Sequence, residues 1–139
     1  MSRAAALLAF GGAISFLLGA VTGFWLDRWM RTHPGQGQER YRAILHKEAL
    51  WSSFLCFAVA GILDRLSLSP EGAWVLAGAL LLTGWGACVQ YAGFAFSNLG
   101  DAYQEPIPAV SRLGGAAAMA GNLVAIALLL WGTGRLLVP

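Results

Sequence analysis

The chain has 139 residues, the size of one domain; 58% are hydrophobic, 12% are charged, and the formal net charge is +2. Soluble domains are about a quarter charged, so a mean hydropathy of +0.63 excludes a water-soluble globule. A charge this small and scattered also excludes nucleic acid as a partner.

In lipid every backbone amide must find its partner within the protein, which selects helices, and about 20 apolar residues cross the hydrocarbon core. Four segments qualify, so the fold class expected is all-α: a four-helix transmembrane bundle forming a single domain over residues 1–139. The first helix is expected from about Ala4 to Leu26. Its start resembles a signal peptide, but the apolar run continues through Trp25 and no small-x-small site precedes a polar stretch, so a retained helix is expected. Gly19 and Gly23 form a GxxxG element, which serves either packing inside the bundle or contact between copies. The segment Thr32 to Gln38 reads as a flexible polar loop, with His33 solvated in it.

The second helix is expected from Arg42 to Leu63, and Ser69-Pro70-Glu71-Gly72 reads as a turn after it. The third runs from Ala73 to about Phe96. Pro106 and Pro108 precede the fourth, Leu113 to about Leu130. Glycines mark both late helices, among them Gly84, Gly86, Gly114 and Gly121. Trp25, Trp29, Trp51, Trp74 and Trp131 are expected in an aromatic belt beside lipid headgroups. Six cations (Arg28, Arg31, Arg40, Arg42, Lys47, Arg112) against three (Arg3, Arg65, Arg135) put the first and third loops in the cytoplasm, although Asp101 and Glu105 offset the third.

Polar groups at membrane depth are costly, and each is a candidate for function. No carboxylate sits in the middle of a helix, which argues against a proton-driven transporter, and no triad, zinc spacing or phosphate loop is present. Cys56 and Cys88 read as small packing residues, and Gln90 and Asn122 as hydrogen-bonding contacts between helices. Tyr91 lies mid-helix and needs a partner for its hydroxyl, either a packing neighbour or a substrate. His46 lies in the first turns of the second helix. Its imidazole is either a structural residue at the interface or a ligand for a metal or haem iron. Ala49, Leu50 and Ser53 follow it on one face and offer small or apolar surface to a flat macrocycle.

The order of these residues resembles the four-helix membrane isomerases that comprise styrene oxide isomerase and hydroxylaminobenzene mutase. The resemblance is carried by Phe10-Gly11-Gly12 to Phe24 in the first helix and by Arg42-Ala43 through His46, Leu50 and Phe54 in the second. Gly84-Trp85, Tyr91 seven residues after that Gly, and Phe96-Ser97-Asn98 carry it in the third. It implies haem b held between subunits of a homotrimer, with His46 as the iron ligand and Leu50 and Ser53 beside it. It further implies a pocket containing Tyr91 and Ser52, and a ferric iron that acts as a Lewis acid on the substrate oxygen.

The substrate implied is a small aromatic compound entering from the lipid phase: an epoxide becoming an aldehyde, or an aryl hydroxylamine becoming an aminophenol. The membrane implied is the inner (cell) membrane of a bacterium. The chain departs from the family at three positions. Ser52 stands in place of an Asn six residues after the ligand, Ala87 in place of a pocket Asn, and Gly12 in place of a His. Two other readings stay open: a haem-binding sensor or electron-transfer protein, and a non-catalytic four-helix scaffold or transporter.

Overall fold

The computed structural model describes residues 1–33, 39–97 and 106–137. Four helices make up the fold: α1 (Arg3–Thr32), α2 (Glu39–Ile62), α3 (Pro70–Phe96) and α4 (Ala109–Leu137), with a short 3₁₀ turn, Leu63–Arg65, closing α2. All four are long and apolar enough to cross a membrane, and the protein is an all-α transmembrane bundle. Pro34 to Gln38, Asn98, Asp101 and Glu105, which carried loop and charge expectations, lie outside the described residues.

The helices overrun their apolar windows because helical hydrogen bonding continues past the last apolar residue. On α1 the surplus is the polar last turns from Asp27 to Thr32, where Arg31 pairs with Asp27 at 3.0 Å and His33 caps the end through its N–H to the Trp29 carbonyl. Ser69 to Gly72 is not a turn. Ser69 is the N-cap of α3, its Oγ accepting from the Gly72 N–H at 3.1 Å; Pro70 fills a first-turn position and Glu71 meets the positive end of the helix dipole.

Antiparallel hairpins α1–α2 and α3–α4 are the two most extensively packed units, and they join along α2–α3. Glycine makes the second hairpin. A Cβ on Gly86 would stand 2.6 Å from the Ala118 nitrogen and 2.7 Å from the Gly114 carbonyl oxygen, and a Cβ on Gly114 would meet the Gln90 nitrogen and Gly86 oxygen just as closely. The two backbones therefore touch, as small residues permit where no hydrophobic force draws helices together. The main core lies at the end of the bundle where Leu8, Cys56, Leu63 and Leu76 meet. Tyr41, Phe94, Leu45 and Cys88 fill the other end. Both cysteines are free and buried.

Four expected placements are corrected. Trp29 is buried and Trp25 half-buried, so neither belongs to a lipid-facing belt, and Trp51 is exposed halfway along α2 rather than near its end. Asn122 is exposed on α4 and does not tie helices together.

Candidate functional site

His46 is half-buried in the α1–α2 seam, where two glycines of α1 receive it. A helix carbonyl is normally shadowed by the side chain four residues on. Gly23 has none, so the Gly19 carbonyl is open from the side, and Nδ1–H of His46 donates to it at 2.8 Å. A Cβ on Gly23 would lie 2.7 Å from Cε1 of the imidazole, so the ring occupies the space that glycine vacates. A carbonyl can only accept; Nδ1 therefore carries the proton, and in the neutral ring Nε2 keeps the lone pair. A backbone bond of this kind is the usual support of a metal-ligating histidine, fixing its tautomer and its orientation. Thr22 adds its own hydroxyl bonds to the Leu18 and Gly19 carbonyls, at 2.8 and 3.1 Å, and so turns no unsatisfied donor toward the ring.

The donor set restricts what such a nitrogen could hold. Among the described residues no group of three His, Cys, Asp or Glu side chains converges, so a bare metal ion has no cage here. One imidazole with its lone pair directed away from a fixed Nδ1 suits a metal whose other ligands come with it, as in a macrocycle.

The remaining candidates are spread around α2. Leu50 packs against Gly19, one turn below His46 in the same seam. Ser53 is fully buried beside Gly12, its Oγ without a hydrogen-bond partner, and Ser52 is turned the other way, onto Gly84 of α3. Tyr91 lines a cavity of about 230 Å³ with Tyr41, Ile44, Gln90 and Phe94, its ring edge-on to Phe94 at 5.9 Å between centroids. His46 does not line this cavity. A larger apolar groove of about 520 Å³ opens between α1 and α3, walled by Leu18, Trp25, Val89 and Phe96 and floored by Leu45 and Cys88. Tyr91 packs against the far side of that Leu45–Cys88 floor.

Two features escaped the sequence. Trp85 Nε1–H donates to the buried Ser15 hydroxyl at 3.1 Å, tying α3 to α1 at membrane depth. Arg42 is only 8% exposed, its guanidinium carbon 4.9 Å from the Trp25 ring centroid and 4.4 Å from that of Trp29. A buried cation one helical turn from His46 had a signal, the spacing of four, but its α1 partners did not.

Comparison with known proteins matches residues 4–137 to the family described as styrene oxide isomerase. No curated protein matches the chain.

Proposed function

The chain belongs to the styrene oxide isomerase family of membrane isomerases, and we propose that it rearranges a small aromatic oxygen compound with the help of a haem b held by His46. The substrate class is an aryl epoxide yielding an aldehyde, or an aryl hydroxylamine yielding an aminophenol. The observation that carries this reading is the Nδ1 contact with the Gly19 carbonyl, which fixes the ring so that Nε2 of the neutral imidazole presents its lone pair.

A ferric haem held by His46 would supply a Lewis-acidic iron for the substrate oxygen. The chain's own residues do the rest. Gly19 and Gly23 set the plane of the imidazole. Tyr91 donates its hydroxyl hydrogen to the substrate oxygen as negative charge grows on it, an interaction that strengthens in a dry site. The apolar groove between α1 and α3 admits a substrate that is apolar apart from one oxygen and keeps water from the opened ring. Substrate and product are isomers, so no electrons and no soluble co-substrate are consumed. Within a single chain the groove and the Tyr91 cavity are separate, and His46 lines neither. A homotrimer in a bacterial cell membrane, with haem at the subunit junctions, supplies the missing walls.

A Soret band on the purified, detergent-solubilised protein, together with conversion of styrene oxide or phenylhydroxylamine, tests this reading; absence of the band after reconstitution with hemin rejects it. Tyr91→Phe is expected to keep the band and lose about 2–4 kcal/mol of transition-state stabilisation, roughly thirtyfold to a thousandfold in turnover. Undiminished turnover would remove the tyrosine from the chemistry. Gly23→Ala places a methyl where the imidazole lies. It is expected to weaken haem affinity about tenfold to a hundredfold, as loss of a ligand's support does, and equal titration curves for the two proteins would contradict that.

A further inference from the structure

Gln90 lies within the last two turns of α3 and is half-buried. Its backbone is clamped where α3 crosses α4, since a Cβ on Gly114 would stand 2.6 Å from its nitrogen. The next glycine seats its side chain. A Cβ on Gly115 would lie 3.0 Å from Cδ, 3.0 Å from Nε2 and 3.1 Å from Oε1. A point equidistant from three atoms of a planar group lies over its face. The amide therefore rests flat against α4, with its donor and acceptor edges directed elsewhere. The contact between helices expected of Gln90 is one of packing, and among the described residues its amide has no hydrogen-bond partner.

Gln90 lines the cavity of about 230 Å³ that Tyr91 also lines, and it is the sole carboxamide there among the described residues. The two side chains leave α3 about 100° apart, so they reach this space from two directions. A carboxamide offers two N–H donors and one carbonyl acceptor, and a ligand that displaces water from it must bring both an acceptor and a donor. An aryl epoxide brings an ether oxygen and no donor, which leaves the carbonyl dry. An aryl hydroxylamine brings N–H and O–H together with its oxygen and satisfies both edges. A site built to receive an N–H or O–H rejects an analogue that lacks one, because its own polar group is then left unpaired.

We propose that Gln90 determines specificity at this site and that the substrate class is the aryl hydroxylamine, whose N–H donates to the Gln90 carbonyl while Tyr91 serves its oxygen. This rests on the reading above, in which the substrate oxygen meets Tyr91, and it chooses between the two substrate classes of that reading. Gly114 and Gly115 are the positioning residues that hold the amide on α4.

The test uses the haem-loaded full chain in detergent and compares kcat/KM for phenylhydroxylamine and styrene oxide. Wild type is expected to favour phenylhydroxylamine. Gln90→Met keeps the length of the side chain and removes its amide. It should lower kcat/KM for phenylhydroxylamine about tenfold to a hundredfold, as loss of a buried hydrogen bond does. For styrene oxide the lost N–H bond is offset by removal of a dry carbonyl, so kcat/KM should stay close to wild type. Equal losses for the two substrates overturn the proposal, since they mark a packing role on α4. Wild type that favours styrene oxide, or favours neither of two substrates it converts, also overturns it, and this comparison decides even where Gln90→Met fails to fold. Wild type that converts neither compound brings down the isomerase reading itself, and this inference with it.

Discussion

His46→Ala is expected to abolish the Soret band and with it all isomerase activity. The argument is one of donor count. Among the described residues no other histidine, cysteine or carboxylate forms a group that could take over a metal, and His33, at the far end of α1, sits against Trp29 with its centroid at 3.6 Å. Removing the imidazole takes away the proposed iron ligand and leaves the Gly19 carbonyl facing an empty notch beside Gly23. Free imidazole fits such a notch, so millimolar imidazole should restore part of the band in the variant. Restoration separates loss of a ligand from loss of the fold. Full haem occupancy in His46→Ala without added imidazole would sink the assignment.

The second large effect is expected at Gly86. Valine there would drive a branched side chain into the α4 backbone, 2.6 Å from the Ala118 nitrogen at its first carbon alone. Backbone cannot move aside as a side-chain tip can, so α4 must lift from α3, the helix with which it makes its extensive contact. The cost expected is about 3 kcal/mol or more, the upper end for overpacking. Gly78 is the internal control on the same helix, since a Cβ there meets nothing within 4 Å. Thermal unfolding in detergent should therefore find Gly78→Val close to wild type and Gly86→Val strongly destabilised. Similar melting of the two variants would mean that the helices are not in backbone contact.

The existence of the four helices was legible because lipid imposes a single solution on any apolar run of that length. Their ends were not. Hydropathy follows the hydrocarbon layer, whereas hydrogen bonding follows the chain, so Asp27 to Thr32 and Glu39 to Tyr41 belong to helices that polarity alone would end. Ser69-Pro70-Glu71 did carry a helix-start pattern, which the punctuation of Pro70 and Gly72 disguised as a turn.

At the site, His46 was visible as the sole histidine on a predicted helix. Its acceptor was not, because a backbone carbonyl of another helix leaves no mark in side-chain identity. Gly19 and Gly23 were read as a packing element without a chosen partner; their faces turn inward to Leu50 and His46. Ser52 and Ser53 are neighbours in sequence, yet Ser52 sets its hydroxyl against Gly84 of α3 while the Ser53 carbonyl lies against Gly12 of α1, since successive residues are rotated by about 100°.

The seam that holds His46 is built entirely from α1 and α2, within the first 62 residues. During synthesis this hairpin leaves the ribosome before α3 and α4 have emerged from it, and membrane helices insert before they associate. The imidazole can therefore find its carbonyl while the second hairpin is still unmade. The order of biosynthesis thus separates two tasks. The imidazole is oriented first and locally, and the second hairpin packs against α1 and α2 later.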